Sequence, residues 1–366
     1  MIPVIYGIGK RFDKTSFYKI LAPVYEGRRM DSMFTERDPL VHRALKGSVA
    51  QLFSMTNMRN FEVYADECTK IFIAAMENLE GQSVDFAAWL QWYAFDVIGS
   101  ITFQRRFDFM EKRKDVDSMI QKINEGLEYV KVIGQSEWLI ALFDVLSRSD
   151  WITHSNLWPD TMERFFQITE AELARYDGDR KDNTRTDFLS QLRANQEKSG
   201  KISHRDMINH LSNNLLAGSD TTAISLRALF YFLTKCPLAM KKVVSEIDEA
   251  DQLGNLSEFI TYKECLQLPY FQAAMKEAMR MHPAVGFPLE RYVPPEGAEI
   301  CGYLLPAGTN VSISAPVIHM NQDIFGNDAA EYRPERWLEA SPERLREMDR
   351  CFLAVSADED LLKTDC

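Results

Sequence analysis

The chain has 366 residues, 46% hydrophobic and 26% charged, enough apolar material for a large core and too much for a disordered or low-complexity polymer. Asp and Glu number 54 against 42 Lys and Arg, a net charge of −12, which argues against a nucleic-acid surface or a polybasic membrane anchor and favours small, neutral partners. Six scattered cysteines without a C-x-x-C pair point to a reducing compartment, and the absence of a long apolar run or a charged-then-apolar leader predicts neither a membrane span nor a signal peptide.

In chain order, Val41, Leu45, Val49, Leu52 and Phe53, then Tyr64, Cys68, Ile71 and Phe72, recur at helical spacing, so the first third reads as mainly helical. Helices are expected over 85–103, 116–146 and 160–176, with a loop at 147–156. The polar stretches 177–186 and 195–201 read as surface turns. Ser203 and Asp206 form a capping box that opens an unbroken pattern to Lys235, a helix of roughly 50 Å at about 1.5 Å per residue. Helices follow over 237–250, 261–268 and 269–282, the last closed by Pro283. Segments 291–293, 298–303 and 309–314 carry β-branched residues between Pro-Gly turns and predict a small sheet. The fold class is mainly α with a minor β-sheet.

Within the long helix, Ala217-Gly218-Ser219-Asp220-Thr221-Thr222 is out of place. A mid-helix Gly costs about 1 kcal/mol against Ala, and a carboxylate with paired threonines adds desolvation without helping the fold. One reading is a local opening of the helix beside a bound ligand, where an acid and a hydroxyl hold water and relay protons. The other is a tolerated Gly and threonines bonded back to carbonyls four residues earlier. Glu277 and Arg280, three residues apart, can pair on one helix face, which by itself is ordinary surface chemistry. Arg336, in the Pro-flanked stretch Tyr332-Arg333-Pro334-Glu335-Arg336-Trp337, can fold back onto the same carboxylate, and a buried Arg-Glu-Arg set specifies a core more than it stabilises one. The stretches 89–95 and 130–142 read as core packing before pocket lining. The Gly7-Ile8-Gly9 pair lacks a third glycine and a phosphate-binding context, and no H-E-x-x-H or G-x-S-x-G occurs to carry protease or esterase chemistry.

Taken in order, A-G-S-D-T-T, E-x-x-R and R-P-E-R-W resemble the cytochrome P-450 haem-thiolate monooxygenases, over about Tyr6 to Ala354. The segments LQWYAFDVIG and MFTERDPLVHRALK are similar to the fungal branch that contains pisatin demethylase. The resemblance implies a cytochrome P-450-like fold, a haem cofactor, and insertion of one oxygen atom of dioxygen into a small apolar organic substrate, in fungal secondary metabolism or detoxification. It implies an NADPH-dependent cytochrome reductase as electron donor. Asp220 and Thr221 match the acid–alcohol pair that delivers protons to dioxygen, and Ala217 and Gly218 match the positions that leave room for dioxygen and substrate. Glu277, Arg280 and Arg336 match a structural triad. His42, Lys46 and Arg291 match contacts to the haem propionates, with Lys46 where the family usually has Arg.

The same resemblance marks departures. It implies one partial domain over 1–354, truncated at both ends, and a divergent tail over 355–366. The family's membrane anchor and first strands have no counterpart, so a family anchored in the endoplasmic reticulum would here be represented by a cytoplasmic chain. The pattern F-x-x-G-x-R-x-C-x-G, whose Cys is the axial iron ligand, does not occur. Cys351 lies too early and Cys366 is terminal, so no metal ligand is expected. The alternative reading is a non-catalytic helical remnant.

Overall fold

A computed structural model describes residues 2–7, 12–146, 162–178 and 185–354. The expected loop at 147–156, most of the turn at 177–186 and the tail at 355–366 lie outside the described residues, as do Ile8 and Gly9. The chain divides into two compact units, one of residues 13–220 and one of residues 1–12 with 221–366.

In the 13–220 unit, β1 (Val24–Tyr25) and β2 (Arg28–Arg29) pair antiparallel across a Glu26-Gly27 turn with φ of 49° and 69°. The longer helices are α1 (Pro39–Val49), α2 (Glu62–Asn78), α3 (Phe86–Phe103), α4 (Met119–Ile133), α5 (Glu137–Leu146), α6 (Glu163–Gly178) and α7 (Phe188–Ser199). Side-chain caps set several starts. Asp38 accepts from the Leu40 and Val41 amides at α1, Asp85 from Ala88 at α3, and Asp187 from Ser190 at α7. Helix α3 is apolar on nearly every side and is accordingly buried, its Phe95 and Phe103 packing with Phe165, Phe188, Leu211 and Leu215. Asp96, fully buried on α3, accepts from the amides of Phe107, Phe109 and Met110 and so fixes the turn that follows the helix.

Two sequence expectations change here. The helix expected over 116–146 is a 3-10 turn (Val116–Ser118), α4 and α5, with a break at Gly134. The Phe17 ring lies 2.6 Å from where a Gly134 Cβ would stand, so the chain leaves no room for a side chain at the end of α4. The surface turn expected over 195–201 is instead the end of α7, which runs on to Ser199. It stops at Gly200 in the left-handed region with φ 61°, its amide bonded to the Gln196 carbonyl.

Helix α8 (His204–Lys235) has 32 residues, and the division between the units falls within it, after Asp220. Its predicted start is observed: Ser203 Oγ accepts from the Asp206 amide at 3.1 Å, and Asp206 Oδ2 accepts from the Ser203 amide at 2.9 Å.

In the other unit, α9 (Pro237–Gln252) and α10 (Pro269–Met281) each begin on a proline, where the missing amide costs nothing. Strand β3 (Arg291–Tyr292) pairs antiparallel with β6 (Asn310–Val311), and β4 (Ala298–Ile300) with β5 (Tyr303–Leu305). The single segment expected over 298–303 is therefore a hairpin. Cys301 and Gly302, with φ of 53° and 82°, form its two-residue turn, and a Cys-Gly pair is a weaker turn signal than Asn-Gly. Strand β6 ends at Val311, and the Ile313 amide beyond it donates to the Tyr6 hydroxyl. Helix α11 (Pro342–Cys351) follows, capped by Ser341. The fold is mainly helical with small antiparallel pairs, and among the described residues no single helix is long and apolar enough to cross a membrane.

Candidate active site

Within the 13–220 unit α3 runs antiparallel to α8, and three ties set their register. Asn214 Nδ2 donates to Thr102 Oγ1 at 2.7 Å, Gly218 lies against Ile98, and Gln91 Nε2 donates to Asp220 Oδ1 at 3.3 Å. A Cβ on Gly218 would stand 2.6 Å from Ile98 Cδ1, so the glycine answers a close approach of the two helices. Ala217, one residue earlier, is exposed. The helix does not open at 217–222. It is regular α throughout, with Ser219 Oγ donating to the Leu216 carbonyl and Ser225 Oγ to the Thr221 carbonyl, bonds that follow the helix. Gln91, buried among Trp89, Leu90 and Phe95, escaped the sequence reading, although a lone amide in so apolar a stretch was its signal.

His42 and Lys46 lie one turn apart on α1, both half-buried. The helix carrying them is held by Ser48, whose Oγ donates to the Leu45 carbonyl and stands 3.2 Å from Nε2 of the buried His210 on α8. With the Ser48 hydrogen so used, His210 Nε2–H is the donor in this contact, and burial pushes its pKa down. Arg291 belongs to the other unit. Its guanidinium lies 5.3 Å from the Tyr6 ring centroid, and Nη1 donates to the Glu290 carbonyl at 2.9 Å.

Glu277, Arg280 and Arg336 meet in that second unit, all buried. Arg280 grips the Glu277 carboxylate with Nε at 2.9 Å and Nη2 at 2.8 Å, and Arg336 Nε reaches Oε1 at 2.8 Å. The Arg333 amide and the Trp337 indole complete five donors on one carboxylate, at 3.0 and 2.9 Å. Arg280 spends its other hydrogens on the carbonyls of His319, Ala329 and Glu331, so the cluster ties α10 to the 319–337 stretch. Arg336 also pairs with Asp328 at 2.8 Å. Burial pushes the Asp328 carboxyl up, but Arg336 and Arg333 outweigh it and hold the carboxyl below the usual range.

Residues 10–350 match the family model for cytochrome P450. The chain belongs to the cytochrome P450 family. It is 36% identical over 359 residues to a cytochrome P450 monooxygenase of Aspergillus terreus, covering 96% of this chain and 73% of that protein. It is 35% identical to the cytochrome P450 monooxygenase cicH of Emericella nidulans over 92% of this chain and 68% of the relative. A cytochrome P450 monooxygenase of Aspergillus flavus, AFLA_114810, shares 32% identity over 97% and 71% of the two chains. The family is one of haem-dependent oxidoreductases, and the reading of a non-catalytic remnant gains no support from these monooxygenases.

The cytochrome P450 haem needs an axial cysteine thiolate, and no described cysteine fits that part. Cys68 is fully buried between helices, 3.6 Å from the Ser100 hydroxyl, and burial pushes its thiol up to about 11. Burial likewise raises Cys265, whose sulfur accepts from Gln272, and Cys351, which packs among apolar side chains. Cys301 sits on an exposed hairpin turn and Cys236 at the start of α9. Among the described residues no three His, Cys, Asp or Glu side chains are grouped to hold a metal ion.

Proposed function

We propose that this chain carries the oxygen-side helix and the scaffold of a haem-dependent monooxygenase that inserts one oxygen atom of dioxygen into a small apolar organic substrate. Its setting would be fungal secondary metabolism or detoxification, with an NADPH-dependent cytochrome reductase as electron donor. The observation that carries this reading is Asp220 on an uninterrupted α8, its carboxylate held by the buried Gln91, one turn from the exposed Ala217. Gln91 fixes where the carboxylate stands on α8, and Thr221 supplies the neighbouring hydroxyl, an acid and an alcohol side by side as proton delivery requires. Ala217 offers only a methyl group, which suits close approach of a small molecule to the helix. His42 and Lys46 on α1, and Arg291 on β3, are the cations proposed for the haem propionates. Glu277, Arg280 and Arg336 are proposed as scaffold, remote from substrate.

The test is a haem titration with a carbon monoxide difference spectrum after reduction, on two proteins. The 366-residue chain is expected to give no red-shifted thiolate-type Soret band. The same chain through Ala354, continued with an F-x-x-G-x-R-x-C-x-G loop, is expected to give one, and Thr221→Ala in that protein to raise oxygen consumed per product formed. Absence of the band from the continued chain would sink the proposal.

A further inference from the structure

We propose that His319, as a neutral imidazole protonated on Nδ1, is the positioning residue that latches residues 352–354 onto the Glu277–Arg280 core. This stands apart from the monooxygenase reading, because it concerns how the chain leaves α11 and needs no bound group. His319 is fully buried and follows a four-residue helix, Ala315–Ile318. Its two ring nitrogens face opposite kinds of partner. Nδ1 is 2.9 Å from the Arg280 carbonyl oxygen, in the last turn of α10, where helix carbonyls lack intrahelical donors. Nε2 is 2.9 Å from the amide nitrogen of Leu353, a residue beyond the end of α11. A carbonyl can only accept and an amide N–H can only donate, so both bonds exist together only in the neutral Nδ1–H tautomer.

The contact runs both ways. Arg280 Nη1 donates to the His319 carbonyl at 2.6 Å, and the His319 ring stacks on Phe352 with centroids 5.5 Å apart and planes 14° from parallel. Trp337 makes a second aromatic contact with Phe352, edge to face with centroids 5.7 Å apart. One side chain thus joins positions 39 residues back and 34 residues on, which a histidine that merely filled the core would not do. The segment it holds has no helix or strand of its own, so these bonds set the direction of the backbone into Ala354.

A second proton on the ring would set N–H against N–H at Leu353. The charges facing the ring come from α10, where Arg280 opposes protonation and Glu277 favours it, and Glu277 is already shared with Arg336. On the Phe352 side, Lys276 of α10 lies 5.6 Å from the ring of Phe352 and is ion-paired with Asp349 of α11. Burial is the largest influence and pushes His319 down to about 4.

The test uses the full chain labelled with nitrogen-15. Imidazole nitrogen shifts at pH 7 are expected to show Nδ1 protonated and Nε2 bare, and the Leu353 amide is expected to be protected from hydrogen exchange. His319→Phe keeps the ring stack but removes both bonds, and is expected to lower the Leu353 protection factor tenfold or more, with amides on α3 unchanged. An Nε2–H tautomer would overturn the proposal, and so would undiminished protection in His319→Phe. The tautomer reading needs no variant, so it decides the matter even if His319→Phe fails to fold.

Discussion

Glu277 gathers more of the structure than any single letter of its motif conveys. Five donors converge on a carboxylate with no exposed surface, three of them from the two guanidinium groups buried with it. Glu277→Ala would leave Arg280 and Arg336 buried with one counter-charge gone, and the expected loss is about 3–5 kcal/mol of stability. Glu128→Ala, which breaks an exposed pair with Lys131 on α4, is expected to cost less than about 1 kcal/mol. Urea unfolding midpoints measure both, and equal costs would refute the central place given to Glu277. The E-x-x-R and R-P-E-R-W letters were legible in advance because they form a compact pattern. Arg333 and Trp337 as donors, and Asp328 as the second acid, were not, because their reach depends on how the loop between Gly326 and Trp337 folds.

At the scale of elements, the decisive pair is α3 and α8. Gly218 read as a functional oddity from sequence, and in the structure it is where α8 admits Ile98. Gly218→Ala would gain about 1 kcal/mol of helix propensity and lose more to the added methyl, for an expected net loss of about 1–2 kcal/mol. Ile98→Val removes the nearest methyl and is expected to restore part of that loss in the double variant, read as a coupling in a thermal-melt cycle. A Gly218→Ala protein more stable than its parent would refute the close approach. The ends of α8 were readable because the Ser203 cap and the break at Pro237 are local signals. The hairpin at Cys301-Gly302 and the break at Gly134 were not. One rests on a turn pair with weak sequence preference, and at the other the glycine faces an aromatic ring brought from more than a hundred residues away.

Across the whole molecule, burial makes stability depend on pH. His319, pushed down to about 4 from an ordinary value of 6.5, contributes stability that is fully present above pH 6.5 and is lost as pH falls towards 4. Burial raises the carboxyls of Asp96 and Asp187, which act in the opposite sense, so the clean measure is a difference. The stability gap between the parent and His319→Phe is expected to shrink by up to about 3 kcal/mol between pH 6.5 and 4. A gap that holds constant over that range would mean His319 is not kept neutral by the fold. The sequence by itself determined the helical class, the span of α8, the family and the carboxylate–guanidinium motif, since periodicity, caps and motif letters are properties of neighbouring residues. Only the tertiary structure decided that Gln91 meets Asp220, that Gly218 yields to Ile98, and that His319 joins Arg280 to Leu353. Each of these depends on which distant backbone the fold brings within hydrogen-bond or packing distance, and no local pattern encodes that.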